Sequence, residues 1–171
     1  MKTRNYMLRS TFGRLCERLR YFTTERAMEV KKNLKEAKSG GGGMHDNAAY
    51  EHALLEENRL AAEITELSRK LENAVFIDDL KFDANRVGLG TSVKILSTEG
   101  GEQATARYTI LGSDEADIDH KIISYLSPIG KALMGRKVGE EIEIVVPAGK
   151  MKVKILEIWK GGKWNVSLHS A

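Results

Sequence analysis

Residues 39–47 read Ser-Gly-Gly-Gly-Gly-Met-His-Asp-Asn, and they separate two long segments with helical periodicity. Each glycine inside a helix costs about 1 kcal/mol relative to alanine, so four in succession predict a turn. Asp46 or Asn47 can cap the following helix by accepting hydrogen bonds from its free backbone N–H groups. Two helices of about 30 residues, each ~45 Å long, then form an antiparallel hairpin.

Apolar residues on both sides of the turn recur every three or four positions, which is typical of helices that pack along one face. Before the turn they are Leu8, Phe12, Leu15, Leu19, Phe22, Ala27, Val30, Leu34 and Ala37. The register shifts near Thr23-Thr24, and such a shift locally alters the winding of a coiled coil. After the turn the stripe contains Tyr50, Ala53, Glu57, Leu60, Ile64, Leu67, Leu71 and Ala74.

Charge is distributed unevenly along the 171 residues, although the net charge is only +3. Residues 1–38 carry a net charge of +7, and residues 39–85 carry −6. This contrast predicts that the helices attract each other along their flanks, with some basic residues pairing with Glu56, Glu63 and Glu66. The small total charge does not indicate nucleic-acid binding by itself.

Several classes of protein are excluded by composition. No apolar run approaches the ~20 residues of a membrane span, and the N-terminus has no apolar stretch typical of a secretory signal. Cys16 is the only cysteine, which excludes an intramolecular disulfide and a zinc site built on several thiolates. A reducing cytoplasm is the predicted location.

The second half has the pattern of a small sheet domain. Runs rich in β-branched residues predict strands at 91–97, 105–111, 141–146 and 151–159. Ser127 and Pro128 predict the start of one short helix, which Gly135 would end. The predicted fold class is α+β, with a helical hairpin at 1–76 whose tip is near 39–47, a globular domain at 77–160 and a loose tail at 161–171.

Several motifs resemble the bacterial GreA/GreB transcript-cleavage factors. The motifs are Gly112–Asp117, Ile122–Ser124, Ser127–Gly135, Asp46–Tyr50 and Leu71–Ala74. The resemblance implies an antiparallel coiled coil followed by a domain with the FKBP-like fold. It also implies an accessory factor, not an enzyme in its own right, that acts on RNA polymerase.

The resemblance further implies how such a factor acts. The globular domain binds bacterial RNA polymerase at the rim of its secondary channel, and Ser127, Pro128 and Ile129 would lie at that contact. The alternative is a plain helix start with Ile129 in the core. Basic residues of the coiled coil would contact the nascent RNA or the polymerase, or else form a solvated helix face; they include Arg14, Arg18, Lys31 and Lys35. We expect a monomer that does not associate with membranes and has no cofactor when free.

The tip departs from the family pattern of Gly-Asp-x-x-Glu-Asn-Ala-Glu-Tyr. Gly43 and Ala49 stand where the family has acidic residues, and Asp46 replaces the remaining glutamate. In the family, tip carboxylates help the polymerase hold Mg²⁺ for RNA cleavage, which is a role that one or two carboxylates can fill. Asp46 is therefore the candidate catalytic and metal-binding residue in the complex with polymerase. Either Asp46 supports weak cleavage, or the factor occupies the channel and regulates elongation without it.

Four further alternatives remain at this point. His45 can replace a metal ligand that the tip has lost. Separately, the acidic residues Asp114, Glu115 and Asp117 can form a cation site or simply a charged loop. The fold suggests a peptidyl-prolyl isomerase, but residues 86–160 offer few aromatic side chains for the cleft that it needs. The hairpin can also be a dimerisation module. His52 and His120 are predicted to lie at the surface.

Overall fold

A computed structural model of the chain describes residues 4–39, 44–99, 102–146 and 149–161, with the side chains of residues 44–47, 99, 145, 146 and 149 outside that description. The elements in chain order are β1 (Asn5–Met7), α1 (Arg9–Tyr21), a π-helical segment (Phe22–Arg26), α2 (Ala27–Ser39), α3 (Met44–Glu72), β2 (Ala74–Phe76), β3 (Thr91–Glu99), β4 (Glu102–Leu111), β5 (Ile122–Ser124), α4 (Pro128–Leu133), β6 (Glu141–Val146) and β7 (Gly149–Lys160). Short 3-10 turns lie at Ile77–Asp79 and Ser113–Glu115.

The chain divides into two compact units. The first contains residues 1–5 and Phe12–Ala74, and the second contains Tyr6–Thr11 and residues 75–171. Tyr6–Thr11 thus belongs with the C-terminal half, whereas the sequence predicted that residues 1–76 form one hairpin. No helix in the described part of the chain is long and apolar enough to cross a membrane.

The first unit is the predicted helical hairpin, in which α2 packs against α3. The two apolar stripes supply its buried face: Leu15, Val30, Ala53, Leu60 and Leu67 are all at most 9% exposed. Their removal from water is the main force that holds two amphipathic helices together. The predicted fold class is therefore confirmed for this half of the molecule.

The shift in the first stripe coincides with the π-helical segment. The hydroxyl of Thr23 donates to the carbonyl oxygen of Leu19 at 2.9 Å, and that of Thr24 donates to Arg20 at 2.7 Å. Such side-chain bonds compete with the backbone ladder, and a π-helical turn contains more residues than an α-helical one. The wider turn explains why the apolar positions after Phe22 change register while Val30 remains on the buried face.

The second unit contains a five-stranded sheet in the order β5-β4-β3-β7-β6. All neighbours are antiparallel except β4 and β5, which pair in parallel. The register pairs Glu99 with Glu102 and Val146 with Gly149, so β3 with β4 and β6 with β7 are adjacent antiparallel strands. The main core lies on one face and contains Val87, Val93, Ile95, Ile110, Leu133, Ile144, Val153 and Ile155.

A smaller apolar cluster includes the start of the chain. Leu8 is 2% exposed and packs with Ile77, Leu111 and Ile122. The prediction that Leu8 begins the hairpin stripe is therefore wrong, because its side chain is buried in the second unit. β1 and β2 form a separate two-stranded sheet, and neither was predicted as a strand, since each has only three residues.

Candidate functional site

The start of α4 holds the three residues predicted to contact a partner. Ser127 has an extended backbone, and its hydroxyl accepts from the Gly130 N–H at 3.0 Å and donates to the Ser124 carbonyl oxygen at 2.7 Å. Pro128 occupies the first turn, where it needs no N–H partner, and it is exposed. Ile129 is partly buried and packs against the main core. The segment is thus a capped helix start, with Pro128 presented to solvent.

Close backbone contacts fix this helix start. A Cβ atom at Gly130 would lie 2.1 Å from the Ser124 carbonyl oxygen, so no larger residue fits there without movement of the backbone. Gly135 follows α4 with a φ of +78°, a conformation that glycine adopts without strain. The predicted boundaries of this helix agree with the structure to within two residues.

Two tyrosines lie edge to face before α4. The rings of Tyr6 and Tyr125 are 5.6 Å apart at 87°, a geometry that aromatic pairs favour. The pKa of Tyr125 is raised above its ordinary value, first by burial and then by the neighbouring Tyr6 hydroxyl. The pair has a packing role that the sequence did not reveal, because 119 positions separate the two residues.

The acidic loop before β5 does not form the cation site that the sequence suggested. Glu115 is 3% exposed, and its Oε1 accepts a hydrogen bond from the Leu8 N–H at 2.9 Å. Asp117 instead binds His120, and no group of three metal-binding side chains occurs in the part of the chain that the structure describes. Glu115 therefore has a structural role. The Leu8 N–H is buried away from water, and the Glu115 carboxylate supplies the hydrogen-bond acceptor that it needs.

Replacement of Glu115 by alanine is expected to lower the free energy of unfolding by about 2–3 kcal/mol, because the buried Leu8 N–H loses a charged acceptor. Glu115→Gln retains an oxygen acceptor and should lose about half as much. Urea denaturation measures both values, with the exposed Asp119→Ala as a control expected within ~0.5 kcal/mol of the wild type. Equal stability of wild type and Glu115→Ala would contradict this role.

Asp117 and His120 form a hydrogen-bonded pair at the surface. The His120 N–H donates to Asp117 Oδ1 at 3.1 Å, and His120 Nδ1 lies 2.8 Å from Asp117 Oδ2. These two hydrogen bonds, the backbone one first, hold the pKa of Asp117 below its ordinary value of 3.8. The favourable contribution of Asp117 to folding is therefore present above pH 3.8 and is lost as the pH falls through the lowered pKa.

Ion pairs cross the hairpin as the charge distribution predicted. Arg26 pairs with Glu56 on α3 and, at 2.6 Å, with Glu29 at the start of α2. Both carboxylates raise the pKa of Arg26, and Glu29 has the larger effect. Arg18 lies 4.0 Å from Glu63 and stacks over the ring of Phe22. The expected cross-pairing of Glu66 is wrong, because Glu66 pairs with Lys70 one turn along the same helix.

The other predicted contact residues of the hairpin face solvent. Arg14, Lys31 and Lys35 are exposed, and within the described residues no carboxylate lies within 4 Å of their charged groups. Arg18 differs, since its charge is shared with Glu63. The structure thus leaves three of the four basic candidates available for a partner, and their role stays a prediction.

The tip is described only by its backbone from residue 44 onward. Helix α3 begins at Met44, so Asp46 and Asn47 lie within its first turn, and the prediction that one of them precedes and caps the helix is wrong. The first turn of a helix is a position where acidic residues are favoured, because it lies at the positive end of the helix dipole. The side chains of His45 and Asp46, and all of residues 40–43, fall outside the described residues.

Comparison with known proteins explains the two-part architecture. Residues 5–75 match the family described as "Transcription elongation factor, N-terminal", and residues 83–160 match "Transcription elongation factor, GreA/GreB, C-term". The chain is 37% identical over 159 residues to the transcription elongation factor GreA of Chlorobaculum parvum, covering 93% of this chain and 99% of that protein. The chain belongs to the GreA/GreB family.

A second GreA supports the same assignment. The GreA of Caldanaerobacter subterraneus subsp. tengcongensis is 41% identical over 145 residues, covering 85% of this chain and 90% of that protein. A crystal structure of the GreA factor homolog 1 (Gfh1) protein of Thermus thermophilus matches with 29% identity and a TM-score of 0.41, covering 92% of this chain and 99% of that one. GreA/GreB proteins are accessory transcription factors and not enzymes in their own right, so this chain is a Gre-like elongation factor. None of these matches supports the isomerase alternative.

Proposed function

We propose that the chain binds bacterial RNA polymerase at the secondary channel and regulates elongation with little stimulation of transcript cleavage. One observation carries the second part of this proposal: between Ser39 and Tyr50, Asp46 is the only carboxylate. The factor works in the cytoplasm as a monomer and carries no cofactor of its own. Its hairpin enters the channel, where it comes close to the nascent RNA.

The chemistry of RNA cleavage explains why one carboxylate is too few. In cleavage of a phosphodiester bond, a second Mg²⁺ stabilises both the attacking and the leaving oxygen. That ion is held by only a few oxygen ligands, so each carboxylate must be correctly placed. Asp46 is one methylene shorter than the glutamate of the family pattern. The four preceding glycines are the residues with the greatest conformational freedom, and small errors of placement cost catalysis about 10²-fold.

Surfaces in each unit support binding to polymerase. In the second unit, Pro128 is exposed on a helix start that Ser127 and Gly130 hold rigidly. In the first unit, Arg14, Lys31 and Lys35 are exposed on the helices before the tip. Exposed cations suit the phosphates of RNA and the carboxylates of a protein partner.

A competition experiment tests this function. The purified chain is titrated against a cleavage-active GreA on backtracked polymerase complexes, and we expect progressive inhibition of RNA release as the two factors exchange. Pro128→Glu removes an exposed apolar contact but keeps a residue suited to the first turn of α4, and should weaken the inhibition by roughly 10-fold, or ~1.4 kcal/mol.

Val138→Glu is the matched control, because Val138 is also exposed in the second unit. It should inhibit as the wild type does. Failure of the wild-type chain to compete at any concentration would refute binding at the channel. Equal inhibition by Pro128→Glu would refute the assignment of the contact to α4.

One alternative function is an active cleavage factor that shares Mg²⁺ with the polymerase. The acidic residue that the tip retains, Asp46, supports it. In that case the chain alone releases short RNA from backtracked complexes, and Asp46→Ala abolishes the release. The same variant should still compete with GreA, because Asp46 lies at the tip and not in α4.

A further inference from the structure

The five-stranded sheet of the second unit has one face that packs on the main core and an opposite face that carries charged side chains. Val93, Ile95 and Ile155 lie in the core, together with Leu133 of α4. Side chains alternate between the two faces along a strand, so Lys94 lies on the opposite face. The register of the neighbouring strands continues this face, which we call the basic sheet face. Its cations are Lys94, Arg107, Lys150, Lys152 and Lys154.

Three of the five cations form ion pairs with glutamates of neighbouring strands. The nitrogen–oxygen distances are 2.8–3.1 Å, and the pairs are Lys94–Glu157, Lys150–Glu143 and Lys154–Glu141. Arg107 and Lys152 are exposed, and in the part of the chain that the structure describes no carboxylate lies within 4 Å of either charged group. The face therefore carries two positive charges beyond those that its own ion pairs neutralise.

Arg107 occupies a position that is unfavourable for the stability of the sheet. It lies directly opposite Lys94 in the antiparallel pairing of β3 with β4. Like charges that face each other across two strands repel, and this repulsion lowers stability. Glu157 pairs with Lys94 from the other neighbouring strand, at 3.1 Å, and not with Arg107. Residues that break a folding rule at a cost in stability occur mainly at functional sites, so this arrangement indicates an anionic partner.

The spacing of the lysines on β7 suits an extended chain of negative charges. Lys150, Lys152 and Lys154 occupy alternate positions of this strand, so they repeat every ~7 Å along one face. Polar side chains continue the same rung of the sheet, because Thr98 lies opposite Lys152 and Gln103 lies opposite Thr98. Lysine binds phosphate as a point charge, and hydroxyl and amide groups form hydrogen bonds with phosphate and sugar oxygens. The face thus combines the two kinds of group that contact a nucleic-acid backbone.

We propose that the basic sheet face binds the sugar–phosphate backbone of a nucleic acid. Its polar side chains favour this occupant over an acidic protein, because protein interfaces have an apolar centre whereas nucleic-acid interfaces are polar and positively charged. Contacts with the backbone carry no information about the bases, so the binding is independent of sequence. The site shares no residue with α4 or with the exposed cations of the hairpin, and it does not depend on the proposed function.

Fluorescence anisotropy of a labelled single-stranded RNA, titrated with the full chain in the absence of polymerase, tests the site. Arg107→Gln/Lys152→Gln removes the two charges that lack a carboxylate partner and should weaken binding roughly 10-fold at low salt. It should also reduce the slope of log affinity against log salt concentration by about 1.5, because two phosphate contacts are lost. Arg107→Lys/Lys152→Arg keeps both charges and should bind as the wild type does. A DNA strand of the same sequence should give the same pattern, because the contacts are with phosphates.

Lys131→Gln/Lys137→Gln is the matched control. It removes the same charge from two exposed lysines of the second unit that lie outside the sheet, and it should leave the affinity within about twofold of the wild type. Thermal denaturation separates binding from folding. Arg107→Gln/Lys152→Gln should be at least as stable as the wild type, because it removes a contact between like charges.

Three results would overturn the proposal. The first is a wild-type chain that binds no RNA at micromolar concentration and low salt. The second is an affinity and a salt slope that Arg107→Gln/Lys152→Gln leaves unchanged, or that the control variant lowers equally. The third is tighter binding to labelled polyglutamate than to RNA, with loss of that binding in Arg107→Gln/Lys152→Gln, because the partner would then be an acidic protein.

Discussion

Restoring the acidic residues of the hairpin tip is expected to turn the chain into a factor that stimulates transcript cleavage. The variant Gly43→Asp/Asp46→Glu/Ala49→Glu recreates the carboxylates of the family pattern at the positions aligned on Asn47 and Tyr50. Additional oxygen ligands hold the second Mg²⁺ at the polymerase active site and orient it for hydrolysis. We expect RNA release from backtracked complexes to rise by on the order of 10²-fold over the wild type.

An uncharged variant separates the effect of charge from that of size. Gly43→Asn/Asp46→Gln/Ala49→Gln places side chains of nearly the same shape at the tip without carboxylates, and it should remain inactive. Both variants should compete with GreA as the wild type does, because α4 is unchanged. If the acidic variant binds but releases no more RNA than the uncharged one, the missing carboxylates do not explain the loss of activity.

Gly112→Ala is expected to destabilise the second unit strongly. A Cβ atom at this position would lie 1.9 Å from the Tyr6 carbonyl oxygen and 2.5 Å from Glu115 Oε2. The first of these atoms belongs to the backbone, so relief requires the N-terminal segment to move away from the acidic loop. Overpacking of this kind costs about 3 kcal/mol, which for a chain of this size lowers Tm by roughly 6–12 °C.

Thermal and urea denaturation of the purified variant measure this loss. Gly88→Ala is the matched control, because a Cβ atom there would meet nothing within 4 Å. It should be neutral or slightly stabilising, since alanine has less freedom than glycine in the unfolded chain. A Gly112→Ala protein as stable as the control would contradict the close approach of Gly112 to Tyr6.

The sequence predicted the features that depend on near neighbours. The stripe spacing predicted which face of each helix is buried, as Val30 and Leu60 show. The Thr23-Thr24 pair marked the place where the register changes, because hydroxyl groups compete with the helical backbone within one turn. Ser127 and Pro128 predicted a capped helix start for the same local reason.

Features that depend on distant partners were not predictable in this way. Glu115 resembles a surface carboxylate in the sequence, and only the fold brings it to the Leu8 N–H, 107 positions away. β5 is too short for a periodic signal, and its parallel partner β4 is separated from it by the acidic loop. Leu8 continues the spacing of the hairpin stripe, yet the smaller core of the second unit buries it.

RNA release from a backtracked polymerase complex, with the wild-type chain alone at saturating concentration, tests the central claim most directly. We predict that release in the presence of Mg²⁺ stays at the rate of the polymerase by itself, while the bound chain still blocks GreA. Release at a rate comparable to that of GreA would contradict the account, because a tip with a single carboxylate would then suffice for cleavage.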